Sequence, residues 1–318
     1  MWGRLFASCG TGNPSPTVWN DGVKGTVLCL VKNEIGPWDE DTEPSPILLQ
    51  KINVYNTEVI MHKKVILISI DGMRPDGLQQ CNNPFVTDMM NMASYTLDAS
   101  SVVPSVTLPC HMSIFHSVPP ERHGITTNTY APMVRPINGL FEQIAVMAGK
   151  SAMFYGWEPI RDVSRPGSLK YAEYLWAYSQ DNTDRLLTNA ALTYIKRESP
   201  DFVFLYMVET DEKGGHDNGW MSAPYLKRIH DAIDNVKLVL DTVGDEYTVI
   251  VTADHGGHDR GHGSQLPEDM NIPMFFIGPD FVPGKILNNL SLLDIAPTIA
   301  KIMNVPIPRE WEGTAVVD

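Results

Sequence analysis

The 318-residue sequence is short of cysteine, short of positive charge and free of long apolar runs. Its four cysteines, Cys9, Cys29, Cys81 and Cys110, are scattered and form no C-x-x-C pair, which excludes a disulfide scaffold. They read as free thiols in a reducing compartment, so a cytoplasmic location is expected. No stretch approaches the ~18 uninterrupted apolar residues of a membrane helix. "MWGRLFASCGTGNPSP" also lacks the apolar core of a signal peptide. Lys and Arg number 24 against 38 Asp and Glu, a formal charge of −14. That field repels nucleic acid and anionic membrane at long range, so no stable nucleic-acid binding is expected. A small anionic substrate is compatible with it only where local cations, such as bound metals, reverse the field at the site. No internal repeat is visible.

With 43% hydrophobic residues, the chain can bury one large α/β core or two small ones. Residues 1–60 carry segments such as "GTGNPSP" and "NEIGPWDEDTEPSP" with no sustained period, and read as an N-terminal extension of unknown role. From "MHKKVILISIDGM" onward the texture changes, which places one catalytic domain over residues 61–318. Apolar runs there alternate with helical patterns, the signature of a mostly parallel central sheet sandwiched by helices. Strands are expected at 65–70, 202–208, 247–253 and 273–278, with a weaker one at 151–156. Helices are expected at 84–95, 108–117, 138–149, 183–197, 222–243 and 291–303. On the helix at 222–243, Leu226, Ile229, Ile233, Val236, Val239 and Leu240 share one face and read as core.

Three expected strands end in acid or acid–histidine clusters. The first runs into Asp71, the second into Asp211 with His216 five residues on. The third runs into "TADHGGHDRGHGS", which holds Asp254, His255, His258, Asp259 and His262. An aspartate after a strand is commonly a turn former, a His-rich loop is commonly solvated, and His258 and Asp259 taken singly read as loop residues. In an open parallel sheet, however, loops at the carboxyl ends of neighbouring strands converge. Three aspartates gathered without cations would raise one another's pKa, so the assembled cluster calls for two divalent metals held by Asp and neutral His. Thr107, ahead of Leu108–Pro109 and an apolar helical pattern, is placed as a helix N-cap, where the helix's positive end could make its hydroxyl a nucleophile.

"ISIDGMRPD", "PSVTLPCHMSIFHSVPPERHGITTN", "VETDEKGGH" and "TADHGGH…HGS…PEDMNIP", in this order, resemble the alkaline phosphatase superfamily. Within it they are most similar to the nucleotide pyrophosphatase/phosphodiesterase family, over about residues 62–315. The resemblance implies an alkaline-phosphatase-like fold and one metal held by Asp71, Thr107, Asp254 and His255, with Thr107 also the nucleophile. It implies a second metal held by Asp211, His216 and His262, and Asn128 hydrogen-bonded to a phosphoryl oxygen. Three histidines beside carboxylates favour zinc over manganese. The family usually spaces Asp-x-x-x-His, whereas "DEKGGH" sets His216 one position further, so a glycine bulge is expected to absorb the extra residue. Cys110–His111 stands where an Asn–His pair is usual, and no C/S-x-P-x-R pattern surrounds Thr107, which argues against a sulfatase.

The reading is a phosphodiesterase or nucleotide pyrophosphatase, acting on a small phosphate ester such as a nucleotide through a phosphothreonine. The alternatives are a phosphomonoesterase or phosphonate hydrolase on the same metal core, and a non-catalytic protein stapled by metal.

Overall fold

Seven strands form one sheet, and its central strand is the apolar run that follows the two lysines Lys63 and Lys64. The computed structural model describes residues 63–317, together with an antiparallel pair of two-residue strands, β1 (Val18–Trp19) and β2 (Leu28–Cys29). By backbone contacts the chain divides into Met1–Ile60 and Met61–Asp318. The expected N-terminal extension, apart from that strand pair, and Met61 lie outside the described residues. Among the described residues, no helix is long and apolar enough to cross a membrane.

The strands are β3 (Lys64–Ile70), β4 (Ser94–Ser100), β5 (Ser151–Tyr155), β6 (Tyr171–Tyr174), β7 (Phe202–Met207), β8 (Tyr247–Thr252) and β9 (Asn271–Ile277). They lie side by side in the order β4-β9-β8-β3-β7-β5-β6. β9 alone runs against the rest: it pairs antiparallel with both β8 and β4, while β8, β3, β7, β5 and β6 pair in parallel. β3, β5, β7 and β8 are buried almost throughout, because helices cover both faces. Their β-branched and aromatic side chains suit that setting. The long helix Ala223–Val243 starts at Ser222, whose hydroxyl accepts from Tyr225 N–H at 3.3 Å. It buries Ile229, Ile233, Val236 and Val239, with Leu226 and Leu240 at the margin of the core.

Two strands escape the sequence pattern. β4 reads "SYTLDAS", and its pairing with β9 shifts register between Thr96 and Ala99, so the alternation that announces a strand is broken. The helix expected to reach residue 95 ends at Met92, and the chain turns directly into β4. β6 is a four-residue edge strand, too short for periodicity to register.

The arrangement fixes where chemistry can gather. β7, β3 and β8 are neighbours in parallel, with Ser69 level with both Tyr206 and Thr252. Their carboxyl ends therefore deliver Asp71, Asp211 and Asp254 to one place.

Candidate active site

The three aspartates meet as the strand order requires, and each is buried. Each has an oxygen left over. Asp71 Oδ2 accepts from the Tyr206 hydroxyl and Asp254 Oδ1 accepts from Gly72 N–H at 3.2 Å, while Asp211 Oδ2 faces His216 Nε2 at 3.3 Å. Asp71 Oδ1, Asp254 Oδ2 and Asp211 Oδ1 are buried with no hydrogen-bond partner. A buried, unsatisfied carboxylate oxygen is costly, and three together suit a cation-binding site.

The histidines supply the complementary half. His255 Nδ1 bonds Gly256 O at 2.8 Å, His262 Nδ1 bonds Ser105 O at 2.9 Å and His216 Nδ1 bonds Arg260 O at 3.0 Å. A carbonyl only accepts, so each Nδ1 carries a proton, and the Nε2 lone pair of a neutral ring is free for a metal. His255 Nε2 lies 3.3 Å from both Asp71 Oδ1 and Asp254 Oδ2, and 3.2 Å from Thr107 Oγ1. Ligand atoms of Asp71, Asp254 and His255 fall within 4.8 Å of one another, as do those of Asp211, His255 and His262. His255 thus stands between two clusters. His216 touches Asp211 but sits outside both, with its side chain 38% exposed.

Electrostatics agree with that donor set. Burial, then the charges of Asp254 and Asp211, push the Asp71 carboxyl well above its usual range, and burial likewise raises Asp254. Burial would raise Asp211 too, but the His216 hydrogen bond and the charges of His255 and His262 bring it below its ordinary value. Burial depresses His255, and it takes His262 down to about 4. The cleft by itself cannot hold three ionised carboxylates, whereas a pair of divalent ions would keep all three charged and both imidazoles neutral. The residues fit two such ions.

Thr107 is the first residue of the helix Thr107–His116, with Val106 in the capping position. The expected N-cap role is therefore corrected. Its hydroxyl makes no capping bond and faces His255 instead, so it is free for chemistry. Asn128 lies beside it: the Asn128 carbonyl oxygen accepts from Leu108 N–H at 3.0 Å, which turns its amide NH2 the other way. With that bond made, Leu108 N–H is not available to a phosphoryl oxygen. Thr107, Asn128, Asp71, Asp211, His216 and His262 line one cleft, joined by Trp157 and Glu212. Trp157 gives this cleft an aromatic wall. Tyr155 is buried in β5, and Tyr130 lines a separate cavity with Met112 and His116.

The extra residue between Asp211 and His216 is absorbed by a π-helix, Thr210–His216. Its i→i+5 geometry puts residues five apart on one face, as an α-helix does for residues four apart. The expected glycine bulge is therefore a wider helical turn, and its glycines serve close packing. A Cβ on Gly214 would lie 3.1 Å from Tyr225 Cα, and one on Gly215 would lie 2.6 Å from the Trp220 ring.

The model of the type I phosphodiesterase/nucleotide pyrophosphatase family matches residues 65–262, well over half of the chain. The chain belongs to that family. It is 25% identical over 218 residues to ectonucleotide pyrophosphatase/phosphodiesterase family member 1 of Rattus norvegicus, covering 60% of this chain and 24% of that protein. It is 26% identical over 279 residues to the bis(5'-adenosyl)-triphosphatase enpp4 of Mus musculus, covering 78% of this chain and 56% of that one. This family member therefore spans about a quarter of the first of these relatives and about half of the second. Its fold is shared with murine family member 5, at a TM-score of 0.67 and 16% identity over 79% of this chain and 97% of that one.

Three positioning residues of this family member were not legible as such. Tyr206 sits within the apolar run of β7 and reads as core, yet its hydroxyl fixes Asp71. His111 lies beneath the site, with Nδ1 2.8 Å from Thr107 O and Nε2 3.1 Å from Ser69 Oγ. Trp220 touches all three ligand-bearing loops. Its indole N–H donates to Gly72 O at 3.0 Å, and its ring lies against Gly215 and Gly257, edge-on to His216 and His262. His258 turns to Asp269 at 2.7 Å and, with Arg74 bonded to Gly257 O, holds the Asp254–Ser264 loop in place.

Proposed function

We propose that this chain is a two-metal phosphodiesterase, with Asp71, Asp254, His255 and Thr107 holding one ion and Asp211, His262 and His216 the other. The observation that carries the reading is the set of three unpartnered buried carboxylate oxygens facing Thr107 and three imidazole Nε2 atoms. Zinc suits the three histidines better than manganese. When bound, the ions supply positive charge against the attacking and departing oxygens.

The chain's own residues supply the rest. Thr107 Oγ1, at the start of a helix, forms the new bond to phosphorus in line as the bond to the departing ester oxygen breaks and the hydroxyl proton passes to that oxygen, giving a phosphothreonine that keeps the second ester group. Asn128, its carbonyl oxygen tied to Leu108, directs its amide NH2 to a nonbridging oxygen. Water entering from the vacated side then breaks the phosphothreonine and restores Thr107. Among the described residues, no Lys or Arg lines the cleft. A dianionic monoester would require such a cation or further donors, which favours diesters over monoesters and phosphonates. A nucleotide is a fitting organic part: an inactive threonine-to-alanine variant of murine member 5 has been solved in complex with AMP. Buried, free Cys81 and Cys110 suit a reducing compartment such as the cytoplasm.

The test is metal analysis combined with single-turnover labelling. Zinc-loaded protein should hold about two ions per chain. It should also form a phosphothreonine that Thr107→Ala cannot form, while the variant keeps its metal and loses turnover by several orders of magnitude. Comparable kcat in Thr107→Ala would remove the nucleophile assignment.

A further inference from the structure

We propose that Glu212 sets the charge preference of the cleft, turning away departing groups that carry further phosphates and admitting uncharged or cationic ones. The inference rests on the phosphodiesterase reading above and narrows its substrate class.

Glu212 lines the same cleft as Thr107 and Asn128, and it is the one carboxylate there outside both metal clusters. Its placement follows from the π-helix, which starts just before Asp211 and brings Asp211, Glu212 and His216 to the same cleft. Among the described residues, no Lys or Arg makes an ion pair with it, and His216, which feels its charge, would be neutral once it holds an ion. The Tyr178 hydroxyl stands 3.4 Å from Glu212 Oε2 and 3.1 Å from Asp217 Oδ2, so two carboxylates share one neutral donor. Lys213, its neighbour in sequence, is directed to Glu209 Oε1 at 2.5 Å and to Gln180 O at 3.0 Å. Arg228 also reaches Glu209. Lys213 and Arg228 are thus matched with Glu209 rather than with Glu212 or Asp217.

Two divalent ions match three aspartates and one monoanionic phosphodiester charge for charge. Glu212 is then surplus negative charge in the cleft lining, next to Asp211 and His216, which would hold the ion opposite Thr107. A departing pyrophosphate or nucleoside polyphosphate brings more of the same sign, an ammonium brings the opposite sign, and an aryl or alkyl group brings none. At several ångströms in a partly solvated cleft, each added charge shifts kcat/KM by roughly tenfold at low salt. Salt weakens the effect, since the pair is not fully enclosed.

The experiment measures kcat/KM of the zinc-loaded full chain for bis(4-nitrophenyl) phosphate, 2-aminoethyl 4-nitrophenyl phosphate and ATP, at low and high salt, in wild type and Glu212→Gln. Wild type should favour the first two. Glu212→Gln should raise ATP relative to bis(4-nitrophenyl) phosphate by about tenfold or more, since the departing pyrophosphate brings more than one charge, and high salt should mimic the substitution in wild type but add little to it in the variant. An unchanged ratio overturns the proposal. So does an equal fall for all three substrates with loss of bound zinc, which would make Glu212 part of the ion site. If Glu212→Gln does not fold, Asp217→Asn should move the same ratio in the same direction by a smaller factor, and a flat ratio there overturns it as well. Loaded wild-type protein that turns over none of the three would sink the phosphodiesterase reading and this inference with it.

Discussion

His216 is the most exposed of the proposed ligands and the one whose protonation the surroundings change most usefully. Its hydrogen bond to Asp211 lifts it from the ordinary histidine range to about 9, against the opposing effect of burial. A metal must displace that proton, so affinity at this position should rise with pH, by up to tenfold per unit, until about pH 9. His262, already down at about 4, has no proton to give at neutral pH. Zinc uptake at pH 7.5 should therefore release about one proton per chain through His216, beyond what the crowded Asp71 and Asp254 carboxyls give up, and His216→Ala should lower the release by about that one proton, as read in weakly buffered solution with an indicator dye. Equal release from both proteins would remove His216 from the ligand set. In the metal-free protein the linkage has a definite sign. The folded value lies above the unfolded one, so the His216–Asp211 pair stabilises the fold fully below about pH 6.5 and loses that contribution as pH climbs through 9. Residues like these were legible because carboxylates and imidazoles betray themselves by type. Tyr206, His111 and Trp220 were not, since their work depends on who stands across the sheet or the next loop.

At the scale of elements, the five strands with buried apolar runs were legible from sequence almost to the residue, as were the long helices. β4 and β6 were not, because edge strands of small or mixed residues lack the alternation that burial on one face produces. The "DEKGGH" spacing was legible as an anomaly but not as a π-helix, because the same one-residue excess could be met by a loop. The turn depends on Gly215 lying flat against Trp220. A Cβ there sits well inside contact distance of the indole, so Gly215→Ala must displace either the ring or the π-helix backbone. The expected cost is about 1–3 kcal/mol of stability, with zinc affinity at the Asp211 position weakened by roughly 10- to 100-fold. Chelator competition and thermal melts would measure both. Wild-type affinity with an unshifted melting temperature would mean that the turn has room to spare.

At the scale of the whole molecule, every proposed ligand and every strand of the seven-stranded sheet lies after Met61, and the chain divides at that point. A protein consisting of residues 61–318 should accordingly fold, bind two zinc ions and turn over bis(4-nitrophenyl) phosphate at a rate within a fewfold of the full chain. Insolubility, or loss of the second ion, would make the first sixty residues part of the core.

The seating of Asp71, Asp211 and Asp254 on three adjacent strands has a further consequence, for time rather than for equilibrium. These residues are distant along the chain, and none can find the others until β7 and β8 have both docked on β3. Long-range parallel pairing is slow to form, because the loops must close before contacts reward them. Tight ion capture is thus a late event during refolding, and the centre acts as a clock that starts only when the middle of the sheet is complete.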